Sequence, residues 1–419
     1  VLCTVLTAIL WALFIGKKRP ESPGIALTGL LLLLLNPYLV CWSTVVKTYA
    51  LANLCIMGIY LGIYRTWDKK SAVWSLMTGL LSGLLISTRS LYLPLIPLII
   101  ILFVLLDQRQ EKITQGRTIY YLGGLALGSA LALYLFLFKH DAFMFNNLGY
   151  HMIRHEPTPL IPKIKDSAVF FLNTIRGAPF LKLTILLTAV SSINSIIRKQ
   201  FLSFTIFSLL STVVLTATFM APTPLYQQYF TSSLGILLLP AAFDGLSVLG
   251  KIWKYIPLFV IIASMLMFSD ELEAETARNS SSAVWSLSTY QEITDQLAHL
   301  TEQHANVLCF WPGYVYESGR DYYHGLENHF ALRVSPGLTQ QQSCSYCLAT
   351  KQSILTSIER QQPDAIVTGV WMKDFERAMN KDELAYFEEL IRTQYCCHYV
   401  SKVNNISIYT RKDLNSAEN

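Results

Sequence analysis

Apolar residues in this chain come in long blocks, each close to the roughly 20 residues that a membrane-crossing helix needs. The blocks fall at 1–15, 26–41, 48–64, 72–87, 91–106, 119–138, 181–197, 201–220, 231–249 and 255–268. Short polar turns separate them, and the pattern predicts a polytopic α-helical membrane domain of about ten spans over residues 1–269. Several blocks are shorter than average, which predicts tilt, re-entry or burial within the bundle. After Ser269 the pattern changes. The segment DELEAETARNSSSA, within a linker over 270–288, is too polar for any membrane segment.

From residue 289 to 413 the pattern is that of a soluble α/β domain, followed by a short tail over 414–419. Thr289-x-x-Glu292 reads as a capping box opening a helix through His304. NVLCFW, residues 306–311, reads as a strand, and 351–360 as a helix. DAIVTGVW is a second strand, 382–393 a third helix, and 397–409 a closing hairpin. Alternating strands and helices predict a small sheet covered by helices.

Composition fits the membrane reading: 52% of residues are hydrophobic, 15% are charged, and mean hydropathy is +0.38. The net charge of +5 points to no nucleic-acid partner, because the basic residues cluster in turns. Lys17, Lys18 and Arg19, then Arg65, Lys69 and Lys70, then Arg109, Lys112 and Arg117 follow alternate spans. Arg198 with Lys199 and Lys251 with Lys254 continue the series. The positive-inside rule makes these turns cytoplasmic. Thr88–Ser90, Lys139–Phe180, Ala221–Phe230 and the C-terminal domain then lie on the outer side. The chain starts at Val1 inside an apolar run with no recognisable signal peptide, and reads as part of a longer protein.

The unusual polar residues gather on that outer face. Arg89 stands between two apolar runs in GLLSGLLISTRSLYLPLIPLIIILFVLL. It either holds an anionic group or is an end-of-helix residue snorkelling to the headgroups. The connection over 139–180 is long enough to carry function and holds Tyr150, His151, Arg154, His155 and Glu156. Within it, DSAVFFLNTIR (166–176) is two-faced, and either lies in the interface or packs on the bundle. Asp244 is read as reaching water at the cytoplasmic end of its span, with no chemistry assigned.

Three stretches resemble the GT-C glycosyltransferases that use a polyprenyl-phosphate sugar, of the protein mannosyltransferase and aminoarabinose-transferase type. They are LLNPYLVCWSTVVKTYALANLCIMGIYLGIYR, GLLSGLLISTRSLYLPLIPLIIILF and PTPLYQQYFTSSLGILLLPAAF, and the likeness covers most of residues 20–270. The resemblance implies transfer of a sugar from a lipid phosphate carrier to a glycan, lipid or protein acceptor hydroxyl. It places the chemistry on the outer face of a bacterial or archaeal plasma membrane. No cofactor or metal is evident, and the lipid-linked sugar is the donor substrate.

Arg89, Lys47 and Arg154 are the candidate phosphate ligands, because arginine matches phosphate through its planar fork. Tyr49, His155, Tyr226, Gln228 and Tyr229 are the candidate sugar or acceptor contacts, suited to stacking on C–H faces and bonding hydroxyls. The resemblance implies an acidic catalytic base in a loop preceding Val1. Within the chain Glu156 is the best carboxylate, as a base or as a salt-bridge partner of Arg154. Tyr49 stands where many relatives carry an aspartate. A transporter or flippase of lipid-linked sugars, and a catalytically silent subunit, are the competing readings.

Cys309, Cys344, Cys347, Cys396 and Cys397 lie in the exported domain, where disulfides are expected. Cys344-Ser-Tyr-Cys347 is also half of a zinc-site pattern, with no second half in view. WPGYVYESGRDYYHGLENHF either lines a glycan surface or is a folded loop with an ordinary polar network. No nucleotide-binding fingerprint or nucleophile elbow is present.

Overall fold

A computed structural model describes residues 2–18, 23–36, 39–40, 48–69, 71–108, 116–153, 160–176, 178–200, 203–222, 225–248, 287–328, 330–369, 372–401 and 405–412. It divides into two compact units. One comprises Val1–Phe143 and Pro157–Leu272, the other Met144–Glu156 and Glu273–Asn419. The tenth predicted span, residues 270–286 of the linker, and Lys47, Arg154, His155 and Glu156 lie outside the described residues.

The first unit is helical. Its helices are α1 (Leu2–Lys18), α2 (Pro23–Leu34), α3 (Tyr49–Lys69), α4 (Ala72–Thr88), α5 (Leu95–Gln108), α6 (Arg117–Gly128) and α7 (Ala130–Phe138). They continue with α8 (Leu160–Arg176), α9 (Pro179–Ile197), α10 (Phe204–Phe219) and α11 (Leu239–Val248). Three described helical stretches are long and apolar enough to cross a membrane: Ser90–Gln108, Phe180–Ile197 and Thr231–Val248. Helices α6 and α7 together make a fourth if counted as one bent span. The expectation of about ten full crossings is therefore met only in part. Helix α2, for example, has 12 residues and rises only about 18 Å, short of a hydrocarbon core of about 30 Å.

The tightest packing is set by glycine. Gly79 and Gly83 on α4 face Gly124 and Gly128 on α6, each pair one helical turn apart. A Cβ at Gly79 or Gly83 would overlap the Tyr121 or Leu125 carbonyl oxygen, and one at Gly124 or Gly128 those of Leu76 and Leu80. Backbones in direct contact are how helices associate where leucine against leucine gives no gain over lipid. The same glycine run ends α6. A single helix over 119–138 was expected, but the axis bends by 59° between α6 and α7. The Ser129 hydroxyl donates to the Leu125 carbonyl at 2.7 Å, and a Gly-Ser step with such back-bonding bends helices.

Charged residues pair at one end of this unit. Lys18 Nζ lies 2.6 Å from Asp244, which also accepts from the Thr205 hydroxyl at 3.2 Å. Asp244 is therefore an ion-pair partner rather than a solvated side chain. Asp107 accepts from the backbone N–H and hydroxyl of Thr118 at 3.1 and 2.6 Å, a carboxylate at a helix N-terminus. Arg117, expected in a basic surface turn, is buried beside it, with Nε 4.0 Å from Asp107. The two-faced segment 166–176 is the latter part of the longer α8. It packs on the bundle through Phe170, Phe171 and Ile175, with Phe171 edge-on to Phe230 at 5.3 Å.

The second unit holds a five-stranded mixed sheet. Its elements are α12 (Leu287–Leu300), β1 (Asn306–Cys309), β2 (Asp321–Tyr322), α13 (Lys351–Glu359), β3 (Ala365–Thr368), α14 (Lys381–Gln394), β4 (Tyr395–Val400) and β5 (Ser407–Arg411). The strand order is β2-β1-β3-β5-β4, with β1 parallel to β2 and β3, and β5 antiparallel to β3 and β4. Side chains alternate between two cores. Val307, Cys309, Ala365 and Val367 pack with Ile293 and Leu297 of α12. Leu308, Ile366 and Tyr395 pack with Ile354 of α13 and Phe387 of α14. Burial on both faces explains why NVLC and AIVT are continuous apolar runs.

Helix starts in this unit follow local chemistry, with one exception. Thr350 with Ser353, and Asn380 with Glu383, form reciprocal caps. Glu383 also accepts from Lys351 at 2.7 and 2.9 Å, and that hydrogen bond holds its carboxyl below the usual glutamate range. The Thr289–Glu292 box does not act as a cap. Helix α12 already includes Leu287 and ends at Leu300, so Thr289 sits inside it and is buried. Residues 144–156 belong to this unit, with the Phe145 ring stacked on Tyr346 at 3.8 Å between centroids.

Replacing Gly124 by alanine should force α4 and α6 apart and cost about 1–3 kcal/mol. The adjacent Gly123 faces open space. Thermal unfolding of the purified protein in detergent should show a lowered Tm for Gly124→Ala and an unchanged one for Gly123→Ala.

Candidate functional site

Three stretches distant in sequence each present two polar positions about one helical turn apart, and the fold brings all three together. Tyr49 and Asn53 open α3, Arg89 and Tyr92 follow α4, and Gln228–Tyr229 with Ser232 precede α11. Residues at i and i+3 or i+4 share a helix face, so each pair can present both its side chains in one direction.

Arg89 ends α4 in an extended conformation (φ −156°, ψ 117°). Its guanidinium carbon lies 4.5 Å from the Tyr49 ring centroid and 5.2 Å from that of Tyr229. Cation–π contact holds the charge electrostatically without neutralising it. Tyr226 stands edge-on to Tyr229 at 5.6 Å. Among the described residues, no ion pair joins Arg89 to a carboxylate.

Beneath these rings runs a buried chain of hydrogen bonds. The Tyr92 hydroxyl lies 2.6 Å from Ser232 Oγ, and Ser232 donates to Asn53 Oδ1 at 2.7 Å. All three are almost completely buried. Thr231–Ile236 winds as a π-helix, an uncommon winding that recurs at functional sites. Helix α11 then carries Pro240, which brings no N–H, at its second position. The carbonyls around this irregular stretch find donors on neighbouring helices. The Tyr60 hydroxyl donates to Leu237 at 3.1 Å and Thr212 to Ser233 at 3.2 Å, while Leu238 accepts the backbone N–H of Ala242 at 2.8 Å.

The cluster and the Lys18–Asp244 pair occupy opposite ends of the unit. Tyr49 begins α3, and Tyr64, whose hydroxyl donates to the Lys17 carbonyl at 3.2 Å, lies roughly 22 Å further along that helix.

Of the residues singled out in the sequence, the structure brings together Arg89, Tyr49, Tyr226, Gln228 and Tyr229. Asn53, Tyr92 and Ser232 were missed. Their signal was present as a polar residue one turn from each named position in an otherwise apolar stretch.

In the second unit, the segment from Trp311 to Phe330 is a folded loop. Arg320 donates to the Thr301 hydroxyl at 2.9 Å and to the Ser318 carbonyl at 2.6 Å. Gly325, at φ +91°, lies against the Ala349 backbone, leaving no room for a side chain. The expected disulfides are not formed: all seven described cysteines are free thiols. Cys309 is buried and donates to the Trp311 carbonyl at 3.0 Å, and burial pushes its pKa up to about 12. Cys396 and Cys397 are neighbours on a strand and point to opposite faces. Among the described residues, no group of His, Cys, Asp and Glu completes a metal site with Cys344 and Cys347.

No known protein family and no curated protein matches the chain.

Ser232→Ala removes the hydroxyl that joins Tyr92 to Asn53. Leaving such buried groups short of a partner costs about 1–3 kcal/mol. A lowered Tm in detergent, with helical content retained by circular dichroism, is the expected result.

Proposed function

We propose that the protein is a membrane glycosyltransferase of the GT-C type. It moves a sugar from a polyprenyl-phosphate carrier to an acceptor hydroxyl on the extracytoplasmic face. The observation that carries this reading is Arg89, a half-buried cation held between two tyrosine rings with no carboxylate partner among the described residues. A cation at such depth needs an anion or a wet cavity, and a lipid phosphate provides the anion at the bilayer surface. Tyr226, Tyr229 and Gln228 supply stacking surfaces and an amide for the sugar beside it.

In this reading the chain crosses the membrane about ten times, its shorter helices tilted or buried in the bundle. The basic turns face the cytoplasm, and the Arg89 end and the second unit face outward. Arg89 would hold the donor phosphate, with Lys47 and Arg154 as further cations. The acceptor hydroxyl needs a carboxylate base, for which Glu156 is the proposed residue if the group lies in this chain. The sharp bend between α6 and α7 favours a second reading, a transporter of lipid-linked sugars, because transporters use broken helices. A transporter would move the donor across the membrane without transferring its sugar.

The test is sugar transfer from a labelled polyprenyl-phosphate donor to a membrane-impermeant acceptor in right-side-out vesicles. At equal protein abundance, Arg89→Ala should lose roughly tenfold to a hundredfold in rate, the worth of one charge-assisted contact. Arg89→Lys should recover part of it, since an ammonium lacks the bidentate fork. Full activity of Arg89→Ala would remove Arg89 from the donor site. Donor translocation without transfer would favour the transporter.

A further inference from the structure

The second unit carries a cleft that nothing above uses. It has a volume of about 720 Å³ and opens between the carboxyl end of β3, α14 and the β4–β5 hairpin. That volume falls in the range of small-ligand sites, about 300–1,000 Å³. The carboxyl end of a parallel strand is a common ligand position in α/β sheets. Here the chain turns away through Gly369 at φ +137°.

The lining has two parts. Phe387 and Tyr395 form a buried floor, and Tyr409 contributes a partly exposed ring. Tyr395 is locked in place, its hydroxyl donating to the Pro363 carbonyl at 3.1 Å. Tyr409 lies opposite Ile366 on one strand and Cys397 on the other, so the sheet fixes its position. Around these rings stand Lys373 and Arg392, Glu376 and Glu388, and the polar side chains of Thr368 and Asn405. Two positive and two negative side chains balance, and Arg392 is also engaged by Glu389, so the rim has no positive excess. The balanced rim does not select for a polyanion, and its four exposed charged side chains can hydrogen-bond hydroxyls. A neutral polyhydroxylated ligand satisfies both parts. One of its C–H faces lies on the Tyr409 ring, and its hydroxyls donate to carboxylates and accept from cations and the amide.

We propose that this cleft binds a neutral carbohydrate. The assignment goes beyond the transferase reading and stands without it, because it concerns binding in the second unit alone.

Cys397 lines the cleft and is an exposed free thiol, while Cys344 and Cys347 are exposed in the same unit but line no part of it. Occupancy is therefore readable as protection of one thiol among three. The full chain, in lipid nanodiscs, is treated with iodoacetamide, and each cysteine's labelling rate is followed by peptide mass spectrometry. The probes are glucose, mannose, galactose and cellobiose, with glucose 6-phosphate and citrate as anionic comparisons. At least one neutral sugar should slow Cys397 by about twofold or more while leaving Cys344 and Cys347 unchanged. Glu388→Ala, on the exposed face of α14, should raise the half-protecting concentration roughly tenfold, the loss of one hydrogen bond to a charged group. Protection is read for each protein against its own labelling rate without sugar. Failure of every neutral sugar to protect Cys397, or protection by the anionic probes alone, would overturn the assignment. Protection unaltered by Glu388→Ala would place the sugar outside the cleft and overturn it as well.

Discussion

A backbone carbonyl at the centre of an apolar bundle has no water to turn to, so every departure from regular helix must bring its own donors. The stretch Thr231–Val248 is the most enclosed of the apolar helical stretches, 83% buried within the protein, and it departs from regularity twice, at the π-wound turn and at Pro240. Tyr60 and Thr212, from two other helices, supply donors to Leu237 and Ser233. That arrangement permits the irregular stretch, and with it the placement of Gln228, Tyr229 and Ser232 beside Arg89. The glycine contact between α4 and α6 sets the other side, since α4 is the helix that ends at Arg89.

The cluster at Arg89 separates holding a charge from neutralising it. Tyrosine faces attract a guanidinium by about 0.5–2 kcal/mol, enough to orient it and far less than a buried carboxylate would contribute. The Lys18–Asp244 and Arg117–Asp107 pairs use the opposite solution at the other end of the same unit. Cations paired with carboxylates there are structural. Arg89 is held by the Tyr49 and Tyr229 rings, which leave its charge unneutralised, and Arg65 lies over the Trp74 ring at 5.7 Å in the same manner.

Sequence and structure agree where local chemistry decides. Strands NVLC and AIVT, helices α13 and α14 and the closing hairpin were legible because apolar runs, caps and turns are short-range signals. Tyr49, Arg89, Gln228 and Tyr229 were legible as polar residues at the ends of apolar blocks. The bend at Ser129 was not, because a Gly-Ser step bends a helix only when packing demands it, and that demand comes from Leu76 and Leu80 on α4. The Thr289–Glu292 pattern misled because a capping box is local, whereas α12 packs on the sheet through Ile293 and Leu297 and includes Leu287. Phe145 on Tyr346 joins residues far apart in sequence, and no periodicity announces such a pair. The cysteines misled because a compartment permits disulfides without supplying the geometry, and Cys309 is sealed under the sheet.

The most direct measurement is an electron cryomicroscopy map of the protein in nanodiscs doped with a short-chain polyprenyl phosphate. Phosphate density is expected within hydrogen-bonding distance of the Arg89 guanidinium, about 2.7–3.2 Å, with the first isoprene units running along the bundle surface. Polyprenyl phosphate bound at another site, with Arg89 contacting only bulk lipid headgroups, would contradict it.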